Sequence, residues 1–114
     1  MDDRTKAWIY DILSVIHDTD SFLEDDTKNY HNFLITLCVK RALERNLEII
    51  GVALQNLMNY LPELKFSHAD NIIDTASRLR SGNDPVSEEI LKNIIIQYLP
   101  KLRDELHLMI IQSY

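Results

Sequence analysis

The sequence predicts an all-α fold: an up-and-down bundle of four helices, with room for one further short helix. Three observations favour this class. The chain of 114 residues contains only two glycines and three prolines, so few residues interrupt helices. Apolar residues recur at spacings of three and four, and no segment alternates apolar and polar residues as a half-buried strand would. The length is that of one domain, so we assign residues 1–114 to a single domain.

The first helix begins at Asp2 or Asp3, because either side chain can cap it. The acidic segment 24–27 interrupts the apolar pattern and predicts a connection, with Asp26 or Thr27 capping the second helix. The inward face of the first helix consists of Trp8, Ile9, Ile12, Leu13, Ile16 and Leu23.

The second helix has the strongest periodic pattern, with apolar residues in alternating steps of four and three. Gly51 lies inside this helix, where glycine costs about 1 kcal/mol relative to alanine. We therefore expect a close helix–helix contact at Gly51, and we expect Pro62 to end the helix at about Leu61. The periodic residues are Val39, Leu43, Leu47, Ile50, Leu54, Leu57 and Leu61.

The third helix is predicted from about Ser67 to Leu79, with Ile72, Ile73, Ala76 and Leu79 facing inward, and the turn at 81–85 ends it. Ser87 caps the fourth helix. Pro100 removes a backbone hydrogen bond and predicts a kink near residues 96–99. The buried face of the fourth helix is predicted to be Ile90, Leu91, Ile94, Ile95, Leu99, Leu102, Leu106 and Met109.

The fourth helix is more apolar than one buried face requires, at residues 90–99 and again at 108–111. Either a partner covers a second face, or this is a central helix with a wide core face. We expect a homodimer, since pairing about a two-fold axis is the commonest assembly.

Composition excludes several classes of protein. Lys and Arg number 12 against 18 Asp and Glu, a net charge of −6, which argues against broad capture of nucleic acid and predicts no DNA partner. The single cysteine, Cys38, excludes an internal disulfide and a Cys-based zinc site; we expect it to be a core residue. No segment has the roughly 18 apolar residues of a membrane span, and residues 1–4 do not resemble a signal peptide. We therefore expect a cytoplasmic protein without membrane contact.

The histidines, His17, His31, His68 and His107, lack the spacing of a metal-binding helix. His17 lies near Asp18 and Asp20, a pattern typical of a solvated face and less often of a metal site. Arg103 and His107 are four residues apart, and they either face solvent or share a phosphate. We expect neither a metal nor a cofactor.

Seven basic residues either form an anion-binding groove between the second, third and fourth helices or lie on outer faces. The pair Arg45-Asn46 lies beside the apolar positions of the second helix, where it needs polar partners. For this pair we favour structural hydrogen bonding over a catalytic role. The seven residues are Lys40, Arg41, Arg45, Arg78, Arg80, Lys92 and Lys101.

Three blocks occur in an order and spacing that resembles the HepT-like branch of HEPN domains, over almost the whole chain. They are Asp3-Arg4 followed by the amphipathic run 12–22, then the segment RNLEIIG at 45–51, then Leu99-Pro100-x-Leu102. The resemblance implies a helical bundle that dimerises and binds a minimal nucleotidyltransferase. In this family active members are toxin ribonucleases, and the nucleotidyltransferase is the antitoxin that silences them by transferring AMP.

The family's catalytic signature is Arg-Asn-x-x-x-His-x-Tyr. Aligned on Arg78, Leu79 and Gly82, its four positions hold Ala76, Ser77, Ser81 and Asn83. In the family, the arginine and histidine support metal-independent cleavage, in which the RNA 2′-hydroxyl attacks the phosphate. Alanine and serine can neither exchange protons near neutral pH nor hold charge developing on phosphate, and Asn83 lacks the phenol that resembles the AMP acceptor.

Two hypotheses follow, with a third that needs no site. The first is a non-catalytic or weakened toxin subunit that binds a nucleotidyltransferase, with Arg45, Asn46, Arg78 and Arg80 as candidate binding residues. The second is an active ribonuclease with a relocated site built from Arg78, Arg80, Ser81 and a histidine such as His107. The third is a plain helical dimerisation module. Whether the chain is an enzyme is left open by the sequence.

Overall fold

The structure, a computed structural model, describes residues 1–25, 37–82 and 86–112, and the side chains of all of these except 22–25 and 37–39. Helices α1 (Asp3–Asp25), α2 (Leu37–Tyr60) and α3 (Ala69–Ser81) are followed by one continuous last helix. The last helix consists of α4 (Glu88–Asn93), a π-helical segment (Ile94–Tyr98) and α5 (Leu99–Gln112). The described residues contain no strand and no helix beyond these four. The predicted all-α, four-helix class is confirmed.

Consecutive helices run antiparallel and close into a ring. The Tyr60 hydroxyl at the end of α2 donates to the Asp2 carboxylate at the start of α1, and α2 packs on α3 on its other side. The last helix completes the ring by contacting α3 through its π-helical segment and α1 through α5. Arg103 of α5 pairs with Asp20 of α1, their Nη1 and Oδ2 atoms being 3.4 Å apart. This is the up-and-down arrangement that the sequence predicts.

The core lies where the four helices face one another, and α2 and the last helix supply most of it. The periodic residues of α2 from Leu43 to Leu57 are almost completely buried, and Leu61 is half-buried. The side chain of Val39 lies outside the described residues. The other large, buried core residues are Ile9, Ile12, Ile16, Ile72, Leu91, Ile94, Ile95, Leu99, Leu102 and Leu106.

Gly51 is buried at the contact between α2 and α3. A Cβ atom added to Gly51 would overlap the Cβ of Ala76, which is attached directly to the α3 backbone. The two helices can therefore approach this closely only because residue 51 is glycine. The predicted close contact is confirmed.

Most of the predicted helix ends are also confirmed. Asp2 Oδ1 accepts a hydrogen bond of 2.8 Å from the Thr5 amide at the start of α1. Ser87 caps α4 by accepting from the Ile90 amide at 3.1 Å. Gly82, with φ 69°, ends α3 in the left-handed conformation that suits glycine. Pro62 follows the end of α2 at Tyr60.

Some boundaries and faces differ from the prediction. Helix α1 includes residues 24 and 25, which the acidic composition had assigned to a connection, while Asp26 and Thr27 lie outside the described residues. Helix α3 covers 69–81 instead of 67–79. Ile90 was predicted to be buried, and this is wrong: it is 39% exposed because it lies in the first turn of α4, at the edge of the packed face.

The last helix accommodates Pro100 by widening into a π-helical segment. The Leu99 amide donates to the carbonyl of Ile94, five residues back. This segment immediately precedes Pro100, which lacks an N–H and whose ring crowds the carbonyl four residues earlier. The sequence correctly located the irregularity and the continuation of the helix past it. It did not predict the π-helical segment that the structure has there.

Candidate functional site

An open groove of about 620 Å³ lies between α1 and α2, and we call it the α1–α2 groove. Its ends on α2, Arg45 and Asn56, are eleven positions apart, which corresponds to a length of about 16 Å at the rise of an α-helix. One residue of α3, Arg80, also lines it. The lining residues are Trp8, Asp11, Ser14, Val15, Arg45, Glu48, Ile49, Val52, Ala53, Asn56 and Arg80.

The floor of the groove is apolar and open to solvent. Ile49 is 42% exposed and Val52 is 38% exposed, and Trp8, the single tryptophan of the chain, is half-buried. The Trp8 ring is fixed by an edge-to-face contact with Tyr60, with ring centroids 5.4 Å apart. Concave apolar surface of this kind marks binding sites on soluble proteins.

Charged groups are distributed unevenly along the groove. Because α1 and α2 are antiparallel, Trp8 lies towards the Asn56 end of the groove, and Val15 lies towards the Arg45 end. Arg80 and Glu48 line the groove together with Arg45, so this part of the lining contains two guanidinium groups and one carboxylate. Within the described residues, neither Arg45 nor Arg80 forms an ion pair with a carboxylate.

The basic residues do not form the single anion-binding groove that the sequence allowed. Arg78 lines a separate cavity with Arg41, and its Nε atom lies 3.3 Å from an Asp74 carboxylate oxygen. Arg80 lies in the α1–α2 groove instead. Two residues two positions apart on a helix point in nearly opposite directions, and this rule alone could have separated them. Lys40, Lys92 and Lys101 line none of these cavities.

The positions of the family signature are spread over different environments. Ala76 is buried against Gly51, so residue 76 faces α2 and has no space for an arginine side chain. Ser77 is exposed, and the Ser81 hydroxyl donates to the Arg78 carbonyl at 3.0 Å. Asn83 lies outside the described residues.

The pair Arg45-Asn46 is divided between two roles. Asn46 is half-buried and its Nδ2 atom donates to Thr19 Oγ1 at 3.3 Å, while the Thr19 hydroxyl donates to the Val15 carbonyl at 2.9 Å. Asn46 therefore connects α1 to α2 by hydrogen bonds, as the structural interpretation of this pair predicts. Arg45 is exposed in the α1–α2 groove.

The described histidines, His17, His68 and His107, lie on different elements of the fold. His107 is exposed on α5, and Arg103, its predicted neighbour, pairs with Asp20 and Asp104. His17 is exposed, and the described residues contain no group of three metal-ligating side chains there or elsewhere. His31, like the side chain of Cys38, lies outside the described residues.

His68 has an unusual backbone. It is the residue before α3 and has φ 61°, a left-handed conformation that is rare outside glycine. Its ring stacks on Tyr98 of the π-helical segment, with ring centroids 4.0 Å apart and planes within 7° of parallel. This contact joins the start of α3 to the middle of the last helix.

One carboxylate next to the groove has a strongly perturbed pKa. The hydrogen bond from the Tyr60 hydroxyl, assisted by the Thr5 amide, lowers the pKa of Asp2 from 3.8 to about 2. The same hydrogen bond raises the pKa of Tyr60. The Arg4 guanidinium carbon lies 5.5 Å from the centroid of the Tyr60 ring. These groups fasten the N-terminal residues to the end of α2 beside Trp8.

Sequence reasoning did not select Ile49 and Val52 as functional residues. A signal for them exists: Arg45, Ile49, Val52 and Asn56 follow one another at steps of four, three and four. They form a second stripe of α2, adjacent to the buried one. An apolar centre in this second stripe indicates a surface that extends beyond the core.

No family model, curated protein or solved structure matches this chain. Among the described helices, none combines the length and the apolar character that crossing a membrane requires.

Proposed function

We propose that this chain is a helical protein-binding subunit without ribonuclease activity, of the HepT-like kind that its sequence resembles. Its partner in this proposal is a minimal nucleotidyltransferase encoded next to its gene. The observation that carries the proposal is the α1–α2 groove, in which Ile49 and Val52 are exposed beside Trp8. A concave apolar surface with charged residues at its edges is typical of protein-binding sites.

The contacts of the basic residues support binding over cleavage. A relocated ribonuclease site needs Arg78 and Arg80 on one phosphate, yet Arg78 pairs with Asp74 while Arg80 lines the α1–α2 groove. The Ser81 hydroxyl is engaged by the Arg78 carbonyl. Ala76 occupies the helix contact with Gly51, so the family's arginine has no counterpart at that place.

A homodimer is part of the same proposal. Leu108 is 54% exposed and Ile111 is 68% exposed near the end of α5, so the last helix keeps apolar surface outside the core. A second copy covering this surface would leave the α1–α2 groove free for the partner. Light scattering of the purified protein measures its mass directly: twice the 13.3 kDa chain mass supports the dimer, and the single-chain mass refutes it.

Size-exclusion chromatography of the two purified proteins, mixed at about 10 μM, tests the function. We expect co-elution, and we expect total cellular RNA incubated with the chain alone, without metal, to stay uncleaved. Separate elution refutes the nucleotidyltransferase as partner. RNA fragments with 2′,3′-cyclic phosphate ends that are lost in Arg80→Ala refute the non-catalytic assignment.

A further inference from the structure

We propose that the α1–α2 groove binds an amphipathic α-helix of the partner protein, oriented so that a carboxylate-bearing turn of that helix meets Arg45 and Arg80. The inference rests on the proposed function, because it assumes that the bound partner is a protein. To the proposed function it adds which surface binds the partner, the helical shape of the bound segment and the sign of the charge at one end of that segment.

The shape of the groove fits a helix. Its walls are two antiparallel helices, and its floor follows the second stripe of α2 through Ile49 and Val52. A length of about 16 Å accommodates three turns of a third helix. A helix in this position would place apolar residues at i, i+3, i+4 and i+7 on Trp8, Ile49 and Val52, the usual way in which a groove receives an amphipathic helix.

The charged residues of the groove determine the orientation of the bound helix. Arg45 and Arg80 come from different helices and both line the groove, and Glu48 is the lining carboxylate nearest to Arg45 in the sequence. Both guanidinium groups lack an ion-pair partner among the described residues. A partner carboxylate that reaches both of them would gain two charge-assisted hydrogen-bond donors. Asp11, nearer the middle of the opposite wall, disfavours further acidic residues along the helix.

Trp8 makes the test direct, because it is the single tryptophan of the chain and it lines the groove. The probes are two synthetic peptides of about 16 residues, held helical by a side-chain lactam because short helices are marginal in water. Both carry leucines at i, i+3, i+4 and i+7. They differ in one terminal turn, which carries two Glu in one peptide and two Lys in the other; a second pair places these residues at the opposite terminus.

We expect the Glu peptide of one pair to change Trp8 emission and to bind about tenfold more tightly than its Lys counterpart. The double variant R45E/R80E should reverse this order. The double variant K65E/K101E is the matched control: it changes the net charge equally at two exposed lysines away from the groove, and it should keep the wild-type order. Circular dichroism confirms that each variant is folded.

Four results would overturn the proposal. They are equal affinity for the Glu and Lys peptides, an unchanged order in R45E/R80E, Trp8 emission that no peptide alters at about 1 mM, and Trp8 emission that depends on the concentration of the protein itself, which would place a second copy in the groove. If the peptides fail these tests but the nucleotidyltransferase co-elutes with the chain, the docking site is refuted and the proposed function is not. Peptide binding without co-elution would refute the identity of the partner alone.

Discussion

Exchanging a methyl group between Gly51 and Ala76 tests the contact that sets the distance between α2 and α3. Gly51→Ala gains about 1 kcal/mol of helix propensity. Its new methyl group overlaps the Ala76 Cβ, and because that atom is attached directly to the α3 backbone and cannot rotate away, the overlap should cost about 3 kcal/mol. The net expectation is a loss of about 2 kcal/mol in the free energy of unfolding.

The compensating variant makes the reasoning quantitative. Ala76→Gly alone loses about 1 kcal/mol of helix propensity and about 0.8 kcal/mol of methyl burial, so it should also be about 2 kcal/mol less stable than wild type. The double variant G51A/A76G keeps one methyl group in the contact and one glycine in the helix pair. Its stability should therefore lie within about 1 kcal/mol of wild type, whereas independent sites would sum to a loss of about 4 kcal/mol.

Urea unfolding followed by circular dichroism measures all four proteins, with the slope of the transition checked for constancy. A Gly51→Ala variant at least as stable as wild type would refute the close approach of the two helices. An additive double variant would show that the two positions do not contact each other. Either result would also remove the argument that residue 76 has no space for an arginine.

Three further predictions concern contacts between other helices. Because the folded pKa of Asp2 is about 2, below its ordinary 3.8, wild type should be more stable than Asp2→Asn above about pH 5, and this difference should decline as pH falls towards 2; a difference that does not vary over that range in acid unfolding curves would contradict it. Asn46→Ala should lose about 1 kcal/mol by breaking the bond to Thr19, and an unchanged urea midpoint would show that this bond contributes nothing. Glu105 accepts from the Ser67 amide at 3.1 Å, so Glu105→Ala should lose about 1.5 kcal/mol and Glu105→Gln less; equal losses in thermal unfolding would argue against a role for the charge.

Local patterns in the sequence predict most of the fold. The spacing of the apolar residues of α2 determines which face of the helix is buried. Single residues reveal other features: Gly51 marks the close helix contact, and Ser87 and Gly82 mark helix ends. Pro100 likewise locates the irregularity of the last helix. The form of that irregularity, a π-helical segment at Ile94–Tyr98, is not revealed by the periodicity of the sequence.

The candidate site was less predictable, because it depends on how helices meet. Arg45 and Arg80 are 35 positions apart in the sequence and come together through the packing of α2 between α1 and α3. The exposure of Ile49 and Val52 depends on how α1 packs on α2, and the sequence of one helix does not contain this information. The left-handed conformation of His68 was not predicted, since few residues other than glycine adopt it.

The most direct test of a protein-binding role is the affinity of the minimal nucleotidyltransferase for wild type, Val52→Glu and Leu108→Glu, measured by titration calorimetry. Both variants replace an exposed apolar residue by glutamate and so change the net charge equally. We expect wild type and Leu108→Glu to bind with similar affinity, and Val52→Glu, in the α1–α2 groove, to bind at least about tenfold more weakly. The absence of binding by wild type, or weakening by Leu108→Glu in place of Val52→Glu, would contradict this account.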